Sequence, residues 1–163
     1  MPPSADPPAV PFKQRWFEDY RVGEIAEFGE HLVTEAEIVE FATRYDPQPF
    51  HVDAEAAKAS IYGGLIASGW MTGSIMMRLL VEHFISPISG MGSPGVDEVR
   101  WPKPVRAGDR LRVRITTIEA KRSQSKPDRG IIQVQQEMIN QHGDTVMSLR
   151  GTSFLKCRTP APV

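Results

Sequence analysis

The segment from Ser68 to Phe84 most constrains the fold, because Met, Leu, Ile and small residues surround nearly the whole circumference of a helix there. A helix with that pattern is expected to be buried on most sides. The chain of 163 residues is long enough for one well-packed core and too short for two ordinary ones. One central helix therefore needs a second element that covers several of its faces.

That covering element is predicted by a change of period in the second half of the chain. Leu111, Val113 and Ile115 alternate with charged neighbours, as in an antiparallel strand with one buried face. Intervening turn sequences predict a meander of strands near 110–125, 130–140 and 145–156. The predicted fold class is α+β, with an antiparallel sheet wrapped around a central buried helix in a single domain.

The first half of the chain predicts shorter elements that lead to a loop. A first strand is predicted over 24–33, and a capping-box pattern begins a helix over 35–45. Two prolines then favour a stiff extended loop at 46–53. Asp53 is suited to cap a second short helix over 54–59.

Composition limits the classes of function. Five prolines in the first eleven residues, without the pattern of a signal peptide, predict a disordered leader at 1–14, a domain at 15–157 and a tail at 158–163. The only cysteine, Cys157, excludes an internal disulfide and a Cys-rich zinc site. The net charge of -1 attracts neither nucleic acid nor anionic lipid, and no apolar run approaches the roughly 20 residues of a membrane span. A cytoplasmic protein without nucleic-acid or membrane partners is expected.

The loop at 46–53 is the stretch most informative about chemistry. It carries Asp46 and His51 on a backbone whose freedom is reduced by two prolines. A histidine titrates near neutrality, and a carboxylate can orient it or share a water molecule with it, so the pair is suited to exchange the protons of water. On residue types alone, Asp46 as a helix end and His51 as a structural histidine stay open.

A second candidate lies at the start of the predicted central helix, where Gly64, Ser68 and Gly69 occur. Free N–H groups and the positive end of the helix dipole gather at such a position and suit a developing enolate oxygen. The absence of a side chain at Gly69 would let a ligand approach the backbone closely. The alternative is a tight turn in which Ser68 is only the N-cap.

Together the two segments resemble the MaoC-like dehydratases and (R)-specific enoyl-CoA hydratases. The signature of that family reads approximately Asp-x-Asn-Pro-x-His-x-Asp, then a glycine-rich stretch, then His-Gly-Met before the central helix. The matching residues are Asp46-Pro47-Gln48-Pro49-Phe50-His51-Val52-Asp53, Gly63-Gly64 and Ser68-Gly69-Trp70. The resemblance covers most of residues 16–156. It departs at Gln48, where the family usually has Asn, and at Ser68, where His is common.

The resemblance implies a hot-dog fold and a hydro-lyase that reversibly hydrates a 2-enoyl thioester. Asp46 and His51 would be the catalytic pair, and the Gly69 N–H would polarise the thioester carbonyl, with Ser68 and Gly64 also binding substrate. No metal and no cofactor is implied beyond the CoA or acyl carrier of the substrate. A homodimer or higher homo-oligomer is implied, with the thioester between subunits.

Four alternatives compete with this interpretation. A hot-dog acyl-CoA thioesterase would share fold and ligand, but many of these have a carboxylate on the central helix, and the sequence has none between Gly69 and Val81. A serine hydrolase built on Ser68 lacks the Gly-x-Ser-x-Gly elbow. A metal site at Asp46, His51 and Asp53 lacks a second nearby histidine. A subunit that binds acyl thioesters without turnover also stays open.

Overall fold

The structure is a computed structural model that describes residues 9–160. Residues 1–8 of the predicted leader and 161–163 of the predicted tail lie outside the described residues. The expectation of disorder is wrong for Phe12–Gln14, which form a 3-10 turn. Arg15, just after it, is buried and bonds the Glu24 carboxylate through two guanidinium nitrogens, at 2.6 and 2.7 Å. The ordered part of the chain therefore starts before the predicted domain boundary.

The described residues form four α-helices and five β-strands. The helices are α1 (Glu35–Tyr45), α2 (Pro49–Val52), α3 (Ala54–Ala59) and α4 (Gly69–His83). The strands are β1 (Ile25–Leu32), β2 (Gly95–Arg100), β3 (Arg110–Arg122), β4 (Arg129–Ile139) and β5 (Thr145–Lys156). No helix within residues 9–160 has the length and apolar character needed to cross a membrane.

The strands form one antiparallel sheet in the order β1-β3-β4-β5-β2. The predicted meander is confirmed, because β3, β4 and β5 pair as consecutive hairpins. Strands β1 and β2 are the two edges of this sheet. Strand β2 pairs with β5, and its other side has no neighbouring strand in the described part of the chain.

The core lies between the sheet and α4. On β3, Leu111, Val113 and Ile115 are fully buried, whereas the arginines between them are partly exposed, as the alternation predicts. The buried residues of α4 join the same core: Met71, Ile75, Met76, Leu79 and Leu80. This arrangement of an antiparallel sheet around one helix is the predicted α+β hot-dog fold.

Burial of α4 is incomplete on one face. Trp70, Met77 and Val81 are each at least half exposed, and the spacing of seven and four residues puts them on the same side of the helix. The expectation of burial on most sides is therefore wrong for this face of the isolated chain. Exposed apolar faces of this kind are typical of interaction surfaces.

The helices before α4 begin as their capping residues predict. The Thr34 hydroxyl accepts from the Glu37 N–H, and the Glu37 carboxylate accepts from the Thr34 N–H, which forms the expected capping box of α1. The predicted extended loop at 46–53 is wrong in part, because Pro49–Val52 form one helical turn. Pro49 is its first residue, where the fixed φ of proline suits a helix and its missing N–H costs no hydrogen bond.

Candidate active site

The two residues of the predicted acid/base pair lie on either side of a short turn. Asp46 is the C-cap of α1, and its N–H donates to the carbonyl of Ala42. His51 lies in α2, where its ring packs edge-on against Phe50 and is only 4% exposed. The structure brings the two side chains together, with Asp46 Oδ2 and His51 Nε2 3.3 Å apart.

The tautomer of His51 is set by a backbone group. Its Nδ1 is 2.7 Å from the carbonyl oxygen of Ile66, which can only accept, so Nδ1 carries a proton and donates. In the neutral imidazole the lone pair then lies on Nε2, the atom nearest to Asp46. A carboxylate oxygen and an imidazole lone pair 3.3 Å apart are two acceptors close enough to contact one water molecule.

The carboxylate of Asp46 is held by a separate side chain at each oxygen. Gln48 Nε2 donates to Oδ1 at 2.7 Å, and Ser68 Oγ donates to Oδ2 at 2.7 Å. The Gln48 bond is the largest influence on the pKa of Asp46 and lowers it below the ordinary value of 3.8. The Ser68 bond lowers this pKa further, as does the positive charge that His51 carries when it is protonated, against the opposing effect of burial. Asp46 is therefore ionised at neutral pH.

A cavity of about 500 Å³ opens beside the pair. Asp46 and His51 line it together with Gly69 at the start of α4, so the predicted carboxylate, imidazole and helix N-terminus share one space. Asp46 is the only carboxylate among its described lining residues. Its other lining side chains are largely aromatic or apolar, or come from the 101–105 segment: Gln48, Phe50, Tyr62, Ile66, Ala67, Trp70, Thr72, Trp101, Pro102, Lys103, Pro104 and Val105.

Gly69 occupies the first position of α4, where an α-helix leaves N–H groups without intrahelical partners. In residues 9–160 no protein acceptor takes its N–H. Its missing side chain makes room for an indole: a Cβ at Gly69 would lie 2.5 Å from Trp101 Cε2. Trp101 Nε1 also donates to the Gly69 carbonyl at 2.9 Å. The space expected for close approach of a ligand is thus taken, on that side, by Trp101.

The other two predicted binding residues have different surroundings. Ser68 is fully buried and its hydroxyl donates to Asp46, so its proton is not directed at a ligand. Gly64 does not line the cavity; it lies beside Arg106, whose guanidinium donates to the carbonyl of Tyr62. The structure therefore brings Asp46, His51, Ser68 and Gly69 together and leaves Gly64 outside.

The geometry disfavours two of the alternatives. A catalytic triad requires a serine bonded to a histidine, whereas Ser68 bonds the carboxylate and His51 Nδ1 bonds a carbonyl. Asp53 is turned to α3, where its Oδ1 accepts from the N–H groups of Glu55 and Ala56. No group of three or more His, Cys, Asp or Glu side chains suited to a metal ion is found between residues 9 and 160.

Two further hollows lie away from the acid/base pair. A larger one, of about 660 Å³, is lined by residues of β1, α1 and α4, including Met71 and several charged residues. Some of its charges are paired, as in the contact of 3.1 Å between His31 and Glu37. An apolar hollow of about 250 Å³ contains Met76 and Met77 and reaches Val96 of β2.

Sequence reasoning missed two parts of the site. The Ile66 carbonyl that holds His51 is a backbone group and leaves no mark on the sequence. Trp101 packs against Gly69 from 32 residues further along the chain, and no local pattern in the sequence links the two.

The fold and the site define a hot-dog protein with a carboxylate and an imidazole at the N-terminus of its central helix. The family model described as "MaoC like domain" matches residues 21–138. The chain therefore belongs to the MaoC-like domain family, as the sequence resemblance predicts.

Individual relatives agree with that assignment. The crystal structure of a MaoC-like dehydratase from Rhodospirillum rubrum is 39% identical, with a TM-score of 0.81 over 91% of this chain and 99% of that one. The 3-hydroxyacyl-thioester dehydratase Z of Mycobacterium tuberculosis is 37% identical over 84 residues, which are 49% of this chain and 54% of that protein. The uncharacterized protein YdeM of Bacillus subtilis is 29% identical over 125 residues, 76% of this chain and 86% of YdeM. The chain thus spans about half the length of dehydratase Z.

Proposed function

We propose that the chain is a hydro-lyase that reversibly adds water across the double bond of a 2-enoyl thioester. The observation that carries the proposal is the pair of acceptors, Asp46 Oδ2 and His51 Nε2, 3.3 Å apart at the wall of one cavity. The relatives support the class of reaction, because one is named a 3-hydroxyacyl-thioester dehydratase and another a MaoC-like dehydratase.

The chemistry follows from what the two groups can accept. A water molecule that donates one hydrogen to each acceptor turns its oxygen lone pair away from the protein and towards the substrate. As that oxygen bonds to the β-carbon, the pair takes a proton from it, and the electrons of the double bond move towards the thioester carbonyl. A proton then passes to the α-carbon, so that one water is added in total. Dehydration is the reverse sequence.

Negative charge develops on the thioester oxygen during this reaction. The Gly69 N–H, at the positive end of α4 and without a protein acceptor in residues 9–160, is the donor we assign to that oxygen. Loss of one such donor typically costs about 2.7–4 kcal/mol of barrier. The proposed reaction needs no metal or redox cofactor, because the protons and the nucleophile all come from water.

The test is hydration of crotonyl-CoA followed at the enoyl thioester absorbance. Asp46→Asn and His51→Ala are each expected to lower kcat by about 10²- to 10⁴-fold, the usual contribution of an acid/base group. Asp128→Asn and His142→Ala, both in exposed turns, are the matched controls and should retain full turnover. Unchanged turnover in both site variants would refute the proposal, as would calorimetric binding of enoyl-CoA to the unmodified protein without turnover. Release of free CoA from saturated acyl-CoA would instead favour a thioesterase.

We also propose that the protein works as a homodimer. The exposed face of α4 and the free edge of β2 form one apolar surface, since Trp70 packs edge-on against Trp101 and Met77 shares a hollow with Val96. A free strand edge beside an apolar face suits antiparallel pairing with the same strand of a second copy. Trp70 and Trp101 line the candidate active site, so a second copy on this surface would lie beside the substrate.

Light scattering after gel filtration tests the dimer. Met77→Lys is expected to convert the dimer to a monomer, because it buries an unpaired charge between the copies. Ile25→Lys, at the opposite edge of the sheet, is the matched control and should leave the mass unchanged. A monomeric unmodified protein, or a dimer that survives Met77→Lys, would contradict this arrangement.

A further inference from the structure

The two departures from the family signature meet at one functional group. Gln48, where Asn is usual, donates to Asp46 Oδ1, and Ser68, where His is common, donates to Asp46 Oδ2, both at 2.7 Å. They approach from different elements, since Gln48 is the N-cap of α2 and Ser68 the N-cap of α4. The carboxylate is therefore held at both oxygens by the two residues that depart from the family signature.

The Ser68 hydroxyl has no proton left to donate to a substrate. A hydroxyl has one proton and two lone pairs. The proton of Ser68 goes to Asp46, and one lone pair accepts from the Trp70 N–H, at 3.3 Å, at the start of α4. The side chain is fully buried. Ser68 thus joins the helix that presents the Gly69 N–H to the loop that bears the acid/base pair.

We propose that Gln48 and Ser68 are positioning residues that hold the Asp46 carboxylate as an orienting acceptor, so that His51 Nε2 exchanges the proton. This proposal rests on the hydratase function proposed above. The Ser68 bond leaves the remaining lone pairs of Oδ2 for the water shared with His51. The bond from His51 Nδ1 to the Ile66 carbonyl frees Nε2 to receive the proton.

The electrostatics agree with that division of roles. Hydrogen bonds to the ionised form lower a carboxyl pKa, and both bonds act on Asp46 in this direction, the Gln48 bond most strongly. Besides Asp46, the titratable groups that line the active-site cavity are His51, Tyr62 and Lys103. Removal of either donor should raise the pKa of Asp46. A carboxyl that gains its proton more readily no longer orients the water at mildly acidic pH.

The experiment combines two readouts on Ser68→Ala and Gln48→Ala. The first is a carbon-13 NMR titration of the Asp46 carboxyl, assigned by its loss in Asp46→Asn, and it does not depend on activity. The second is the pH profile of kcat/KM with crotonyl-CoA. We expect the Asp46 pKa to rise in both variants, the acidic limb of the profile to move to higher pH, and kcat to fall by up to about 100-fold. KM should change little.

Controls separate positioning from a structural role. Ser74→Ala makes the same change five residues after Gly69 on α4, and Gln135→Ala makes it on β4; neither should move the titration or the profile. Ser68→Thr and Gln48→Asn retain the donors. They should therefore keep the Asp46 pKa, the pH profile and kcat close to those of the unmodified protein. Because Gln48 is exposed, its variants test the proposal even if Ser68→Ala fails to fold.

The outcomes distinguish the two proposals. An unmodified protein without hydratase activity removes the proposed function, and the titration still tests whether the donors hold the carboxylate. An active protein whose Asp46 pKa and acidic limb are unchanged in both variants overturns the positioning role and leaves the hydratase intact. Loss of activity in Ser68→Ala without any change of titration or profile would mean that Ser68 only caps α4, and this also overturns the proposal.

Discussion

Strand β3 and the loop at 46–53 are fixed by different kinds of interaction. The strand pairs with β1 over its first half and with β4 over most of its length, and it buries Leu111, Val113 and Ile115 completely. The side chains of Asp46 and His51 are instead held by individual hydrogen bonds to Gln48, Ser68 and a backbone carbonyl.

The burial in β3 mainly stabilises the fold, whereas the hydrogen bonds in the loop mainly orient the side chains of the site. Apolar burial is not directional and contributes in proportion to the area removed from water, so it supplies most of the free energy of folding. A hydrogen bond contributes little net free energy but defines where its atoms lie. Substitutions in β3 should therefore lower the free energy of unfolding, and substitutions around Asp46 should mainly lower the turnover of folded protein.

The largest effect on stability is expected from Ile115→Ala. Ile115 is fully buried in the core of β3, and removal of its methyl and methylene groups should lower the free energy of unfolding by about 2–5 kcal/mol. The control is Ile118→Ala on the same strand, at an exposed position, with an expected change within about 0.5 kcal/mol. Urea unfolding measures both. Equal losses of unfolding free energy in the two variants would contradict this prediction. A fall of kcat in folded Ile115→Ala as large as in Asp46→Asn would show that β3 and the loop do not differ in their effects on stability and turnover.

The sequence predicts the strand region well, because its signal is repetitive. The alternation around Leu111 is repeated over many residues. A shift of the strand register by one residue would turn the whole apolar face towards solvent, so the pattern leaves one register. The capping patterns at Thr34 and Asp53 predict the starts of α1 and α3, since each depends on a few adjacent residues. The meander, both helix starts and the position of α4 are confirmed.

The loop is predicted less completely, because its interactions are not local. The family motif brought Asp46, His51 and Gly69 together, but the bond from Ser68 to Asp46 joins residues 22 positions apart. A single contact of this kind produces no repeating pattern in the sequence from which it could be predicted. The helical turn Pro49–Val52 was missed for a related reason: proline excludes the interior of a helix but suits its first turn, and the sequence alone did not decide between them.

A medium effect is expected from Asp53→Ala, within the same loop. Asp53 belongs to the family motif, yet its carboxylate caps α3 through the N–H groups of Glu55 and Ala56. Loss of this cap should lower the free energy of unfolding by about 1 kcal/mol. Asp53→Asn keeps an acceptor and should cost much less. If Asp53→Asn loses as much stability or turnover as Asp53→Ala, the negative charge of Asp53 is what the protein requires, and capping by an acceptor oxygen is not sufficient.

The smallest effect is expected from Glu27→Gln on the outer side of the sheet. Glu27 bonds Arg112 Nε at 2.9 Å and Arg114 Nε at 2.7 Å, and these bonds lower its pKa, with Arg112 the larger influence. Its side chain is 38% exposed, so water competes with both arginines. The expected loss is about 0.2–1 kcal/mol, and it should shrink in 1 M salt, where the screening length is about 3 Å.

The pH dependence of the Glu27 contribution has a definite sign. Because the pKa is lowered in the folded state, the contribution is present above the ordinary value of 4.5 and is lost as the pH falls through the lower, folded-state value. The difference in unfolding free energy between the unmodified protein and Glu27→Gln should therefore be constant near neutrality and vanish in acid. A loss as large as that of Ile115→Ala would show that polar bonds stabilise this sheet as strongly as apolar burial, and the contrast between β3 and the loop would then need a different cause.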